Sequence, residues 1–108
     1  MSNVSELSPS GHLVLVYGQP GCQPCKATAR TLDRAGVPHT YVDVTEDQEA
    51  HQDATSHGWD STPVVEVRDA GGVVLAAWHG FRMEACKALA VQGVDVATLD
   101  RRLPPAEV

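Results

Sequence analysis

Leu13-Val14-Leu15-Val16-Tyr17-Gly18-Gln19-Pro20-Gly21-Cys22-Gln23-Pro24-Cys25-Lys26 joins a short apolar run, a turn and two cysteines separated by two residues. The run Leu13 to Tyr17 has the length and continuous apolar character of a strand buried on both faces. Gly18-Gln19-Pro20-Gly21 has the composition of a turn. A helix follows from about Cys22. Pro24 fits its first turn, where backbone amides have no internal partner. Ala27, Leu32 and Ala35 share one side of it, Gly36 suits the C-cap, and Pro38 prevents continuation. Two cysteines at a strand-to-helix turn can be a redox dithiol or half of a metal site.

The chain continues in the same rhythm. His39 to Val44 reads as a second strand. Thr45-Glu46-Asp47-Gln48 matches a capping box, with Thr45 at the N-cap and Gln48 three residues on. The helix it opens runs to about His57 and stops at Gly58, with a thin inner face of Ala50 and Ala54. Val64 to Arg68 is a strand, Asp69-Ala70-Gly71-Gly72 a hairpin turn, and Val73 to Trp78 the returning strand. Gly80 opens a last helix, about Phe81 to Val91, with Met83, Cys86 and Ala90 on one stripe and Phe81, Ala85 and Leu89 on the next. Val96, Leu99 and Leu103 suggest a further short helix before Pro104-Pro105. The predicted order is β-α-β-α-β-β-α. A strand-helix-strand unit implies parallel neighbours and a tight hairpin an antiparallel pair. Both are met by an α/β fold with a four-stranded mixed sheet flanked by three helices.

At 108 residues this is one domain. We divide it into a loose arm over residues 1–11, a folded unit over 12–93 and a C-terminal extension over 94–108. The net charge of -6 argues against nucleic acid as a direct partner. Met1 to Gly11 lacks the basic start and apolar core of a signal peptide. No apolar run approaches the ~20 residues of a membrane span. Three cysteines are too few, and odd in number, for a secreted disulfide scaffold. We therefore expect a cytoplasmic monomer, where a Cys-x-x-Cys is more often catalytic or metal-binding than structural.

Helix placement sets the roles of the two sulfurs. Cys22, at the helix N-terminus, faces free amides and the positive end of the dipole, which favour a thiolate by up to ~2 kcal/mol. That makes Cys22 the nucleophile. Cys25 lies one turn inside on the same side, placed to resolve a mixed disulfide. Gln23, Pro24 and Lys26 can modulate the pair, Lys26 through its charge or merely as a solvated lysine. Zinc is the main rival, but a structural zinc site needs four ligands. No second Cys-x-x-Cys or paired-histidine spacing is present, and an iron-sulfur cluster meets the same objection. No bound metal or cofactor is expected. Cys86, on a helical stripe, reads as a buried thiol.

The array resembles the glutaredoxin branch of the thioredoxin superfamily over about His12 to Gln92, and within it the NrdH-type redoxins. The residues that carry the resemblance are Val16-Tyr17-Gly18, Cys22 to Cys25, Thr62-Pro63-Val64-Val65 and Trp78-His79-Gly80-Phe81-Arg82. The resemblance implies a thioredoxin-like fold and thiol-disulfide exchange. It implies that Pro63 is cis and sits beside the dithiol, offering a free backbone edge at Thr62-Pro63 for substrate. It places Gly80, Phe81 and Arg82 on a surface for a protein partner. It also implies a reductant and a target: NADPH electrons through thioredoxin reductase, a flavoprotein, and ribonucleotide reductase or other disulfide-containing proteins. Glutathione-using relatives carry a Gly-Gly pair and an acidic residue after the last strand, whereas Gly80 is followed by Phe81-Arg82-Met83-Glu84. A glutathione-dependent glutaredoxin is the alternative, and a metal- or cluster-binding module a third. Pro24, His79 and Met83 depart from the NrdH-type pattern.

Overall fold

The computed structural model describes residues 7–102. Leu103 and the Pro104-Pro105 tail lie outside the described residues, as do residues 1–6 of the N-terminal arm. Four strands form one sheet: β1 (Leu13–Gly18), β2 (Thr40–Asp43), β3 (Val64–Arg68) and β4 (Val74–His79), in the order β2-β1-β3-β4. β1 and β2 are parallel, and β1–β3 and β3–β4 antiparallel. The helices are α1 (Gln23–Arg34), α2 (Gln48–Thr55) and α3 (Met83–Ala88). This is the mixed four-stranded sheet with three helices that the element order predicts.

Alternation along the strands divides the interior in two. Val14 and Val16 of β1, Val65 and Val67 of β3 and Trp78 of β4 meet Leu32 of α1 and Ala85 and Cys86 of α3. On the other face Tyr17 and Val64 meet Ala50 and Ala54 of α2, with Leu15 and Trp59 packed against them. Leu32 and Leu89 are fully buried, which contributes about 1.5–3 kcal/mol each. The first face carries α1 and thereby sets where the dithiol emerges. The α2 face is built on two alanines and is correspondingly thin.

Three expectations change in detail. The N-cap of α2 is Asp47, whose Oδ1 accepts from Ala50 N at 3.1 Å. Thr45 instead donates its amide and hydroxyl to Asp43 Oδ1, at 2.8 and 2.6 Å, closing a turn after β2. An aspartate nearer the helix outcompetes the threonine because its carboxylate also complements the helix dipole. α3 is only six residues long, and Leu89, Ala90 and Val91 follow it in tighter turns bonded to carbonyls three residues back. Met83 is half exposed and does not share the buried stripe of Cys86.

The segment after α3 makes a 3-10 turn at Val96–Leu99. It then lies along β4. Ala77 N donates to Asp100 Oδ1 at 3.0 Å and Ala77 O accepts from Arg101 N at 2.8 Å, so the backbone of an edge strand is partly covered. At the other end, Ser8 is buried, and its amide donates to His12 O at 2.7 Å in a turn just before β1.

Candidate active site

Cys22 is the N-cap of α1, with extended backbone at φ -89 and ψ 105. The turn that delivers it ends in Gly21 at φ +78, a left-handed conformation that suits glycine. Cys22 Sγ accepts a hydrogen bond from Cys25 N at 3.1 Å, and Cys22 O accepts from Lys26 N at 3.1 Å, the first turn of the helix. The two cysteines are joined as a disulfide, with Cα atoms 5.2 Å apart. Cys22 is partly exposed and Cys25 fully buried. After reduction, the Cys25 amide and the helix dipole both favour a thiolate at Cys22. Gln23, Pro24 and Lys26 are exposed around the pair. Thr28 is buried and donates Oγ1 to Pro24 O at 2.8 Å, which fixes the first turn from beneath.

The strand-start residues reach the same sulfur. The Thr62-Pro63 peptide bond is cis. Thr62 Oγ1 donates to Cys22 Sγ at 3.5 Å, and Thr62 O is 3.7 Å from the same atom. Gly80, at φ +82, donates its amide to Pro63 O at 2.9 Å. Thr62, Pro63 and Gly80 are thus brought together with Cys22 and Cys25. Phe81 packs against the larger core cluster. Arg82 is engaged elsewhere: its Nη1 donates to Leu99 O at 2.8 Å, its Nε to Glu84 Oε2 at 2.9 Å, and its guanidinium lies 5.4 Å from the centre of the Trp78 ring. Those bonds tie the last helix to the C-terminal extension.

Two groupings near the site were not legible beforehand. Glu66 is 2% exposed in the middle of β3. Its carboxylate accepts from Tyr17 OH at 3.1 Å and Arg68 Nε at 2.9 Å, and its Oε2 is 2.6 Å from His57 Nε2. Burial first, and then the negative charge of Glu66, pushes the Tyr17 hydroxyl well above its ordinary range. The Glu66-Val67-Arg68 alternation hinted at this cluster, but nothing local tied it to His57. The second grouping is an aromatic stack. Trp59 and His79 have centroids 5.2 Å apart at 23°, and His57 is 5.8 Å from Trp59 on the adjoining loop.

Cys86 is buried with no disulfide partner, and desolvation raises its thiol to about 11. Among the described residues no group of three or more His, Cys, Asp or Glu side chains is placed to hold a metal ion, and no helix is long and apolar enough to cross a membrane.

The family model described as Glutaredoxin matches residues 14–71. Among solved structures, the chain is similar to the NrdH-redoxin of Escherichia coli, a glutaredoxin-like protein described as having a thioredoxin-like activity profile. Identity is 26% with a TM-score of 0.59, over 68% of this chain and 90% of that one. It is similar to a glutaredoxin of Archaeoglobus fulgidus at 28% identity and TM-score 0.53, over 70% of this chain and 83% of that one. The thioredoxin of Plasmodium falciparum shares the fold, at 21% identity and TM-score 0.59, over 81% of this chain and 83% of that one. The Gene 56 protein of Mycobacterium phage D29 is 46% identical over 37 residues, which span 34% of this chain and 41% of that protein. The matched family span runs from β1 through the Cys22–Cys25 pair to the cis proline and β3, the parts that assemble the site, and on that ground the chain belongs to the glutaredoxin family.

Proposed function

We propose that the chain is a dithiol electron carrier that reduces protein disulfides and is itself reduced by a flavoprotein reductase. The observation that carries this reading is the setting of Cys22 Sγ. It caps α1, receives the Cys25 amide and the Thr62 hydroxyl, and lies 3.7 Å from the carbonyl oxygen of Thr62, the residue joined to cis Pro63.

In the proposed reaction the Cys22 thiolate forms a bond to one sulfur of the substrate, and the substrate disulfide breaks. The second substrate sulfur leaves as a thiolate and takes a proton. Cys25 then loses its proton and attacks Cys22 Sγ, releasing the first substrate sulfur. Two electrons pass to the substrate, and the chain ends in the Cys22–Cys25 disulfide form. The Thr62-Pro63 edge aligns the substrate backbone, with Gly80 and Phe81 beside it. Arg82 serves as a brace behind this surface rather than as a docking residue.

The reductant reading rests on the segment after β4. Gly80 is followed by a half-buried phenylalanine and by an arginine bonded to Leu99 and Glu84. That leaves no glycine pair or free acidic side chain there to hold glutathione. Thioredoxin reductase with NADPH is therefore the proposed electron source, in keeping with the thioredoxin-like activity profile of the similar NrdH-redoxin, and ribonucleotide reductase is the proposed target, as the sequence resemblance to NrdH-type redoxins implies. The cytoplasm is the proposed compartment, and a monomer the proposed state. The test supplies NADPH with thioredoxin reductase, or with glutathione and its reductase, and follows reduction of a protein disulfide and of ribonucleotide reductase. Turnover with thioredoxin reductase is the expected result. Turnover only with glutathione contradicts it.

A further inference from the structure

We propose that a recess beside Cys22 receives a basic side chain of the substrate, next to the cysteine under attack, and that Asp60 selects it. This rests on the disulfide-reducing reading above and adds a specificity to it. The recess opens between the turn before α1 and the loop before β3. Gln19 borders it on one side, and Trp59, Asp60, Ser61 and Thr62 on the other. Thr62 is the link to the chemistry, since its hydroxyl also donates to Cys22 Sγ. A substrate strand lying along Thr62-Pro63 therefore passes the mouth of this recess.

The recess is small, about 60 Å³, and His51 of α2 also borders it, so it takes the end of a lysine or arginine side chain rather than its whole length. The floor is apolar and includes the buried Val44 and Val64, a surface for the last methylenes of lysine or arginine. The Trp59 wall is held in place. It stacks on His79 and adjoins His57, which is itself bonded to the buried Glu66. An indole is a favourable neighbour for a guanidinium or ammonium. Asp60 is exposed and forms no ion pair among the described residues, so its carboxylate remains available for the cationic head.

The surrounding charge has the same sign. Residues 36–67 contain seven Asp or Glu and no Lys or Arg, and of the seven only Glu66 is buried. Lys26, Arg30, Arg34 and Lys87 lie on α1 and α3, across the sheet from α2. A basic substrate segment is thus drawn towards the α2 side of the dithiol. The wider field raises the encounter rate, and the recess fixes where the side chain settles.

The test uses the full chain, reduced beforehand and freed of reductant, in single-turnover reactions with three peptides. Each peptide carries one intramolecular disulfide, and they differ only in the residues flanking the first cysteine: Arg, Leu or Glu. At low ionic strength the Arg peptide should react about tenfold faster than the Glu peptide, with the gap narrowing as salt is added. Asp60→Asn should shrink the gap, and Asp60→Lys should place the Glu peptide ahead. Equal rates for Arg and Glu peptides, a Leu peptide faster than both, or an order unchanged in Asp60→Lys would each overturn the proposal. The Leu peptide separates the two levels. If it is reduced but charge has no effect, only the selectivity fails; if none of the peptides is reduced, the disulfide-reducing reading fails with it.

Discussion

Thr62 Oγ1 lies 3.5 Å from Cys22 Sγ, across a separation of 40 residues in the chain. This contact joins the two halves of the site, because Thr62 also enters the cis bond to Pro63. In the reduced protein the hydroxyl is a donor to the thiolate. Thr62→Val keeps the shape and removes the donor. Losing a hydrogen bond to a charged sulfur costs on the order of 1 kcal/mol, so alkylation of Cys22 by iodoacetamide near pH 7 should slow by roughly fivefold. Thr62→Ser should retain most of the rate. Measured rates against pH check this, and an unchanged profile for Thr62→Val contradicts it.

The three thiols of the reduced protein should differ sharply in reactivity. Cys22 is partly exposed, whereas Cys25 and Cys86 are fully buried, and burial raises the Cys86 thiol to about 11. Under native conditions at neutral pH, peptide mapping by mass spectrometry should find alkylation at Cys22 first. Cys86 should label only after denaturation. Early labelling of Cys86 would show that α3 opens readily.

Glu66 is the most exposed to loss among the core residues, because three partners depend on it. Its side chain is 3% exposed, with His57 at 11% and Arg68 at 25%. Glu66→Gln leaves the Arg68 charge without its counter-charge, and breaking a buried pair in this way costs about 3–5 kcal/mol. Arg68 is a quarter exposed, so the lower end, about 3 kcal/mol, is expected. Urea denaturation of the oxidised protein measures it. A change below about 1 kcal/mol would mean that solvent replaces the lost partner.

Much of this architecture was legible in the sequence, for identifiable reasons. The apolar run Leu13 to Tyr17, the hairpin turn at Asp69 to Gly72 and the cysteine pair after a Gly-Pro turn each carry a local signal that tertiary contacts reinforce. The cis state of Pro63 came from resemblance alone, since spacing by itself favours trans. The tie of Arg82 to the C-terminal extension was not legible, because no local pattern links it to its partners, Leu99 O and the Trp78 ring. Asp47 displaced Thr45 as a cap because two capping residues stood two positions apart, and only the course of the chain after β2 decides between them. The Glu66 cluster joins β1, β3 and the loop after α2, a convergence that no single segment announces.

The C-terminal extension should be pH-sensitive at its anchor. Asp100 is held below the usual carboxylate range. Burial works against its ionisation, but bonds from the Arg102 side chain and from the amides of Ala77 and Arg102 outweigh it. A depressed pKa contributes stability above the unfolded value of about 3.9, which is lost as pH falls through the lower folded value. Asp100→Asn should therefore destabilise the protein by about 1–2 kcal/mol at pH 7. The difference from the unmodified chain should shrink as pH falls below the unfolded carboxylate value and through the lower folded one. Thermal denaturation from pH 7 to pH 2 checks both the size and the sign, and a difference that grows on acidification contradicts the assignment.

The division of labour between the two cysteines is tested most directly with Cys25→Ser. Reduced Cys25→Ser protein is mixed with a disulfide-containing protein and examined by intact-mass and peptide-level mass spectrometry. A stable one-to-one mixed disulfide at Cys22 is predicted, because the buried resolving thiol is gone. Free turnover by this variant, or a mixed disulfide formed at Cys86 instead, would contradict Cys22 as the attacking sulfur and Cys25 as its resolving partner.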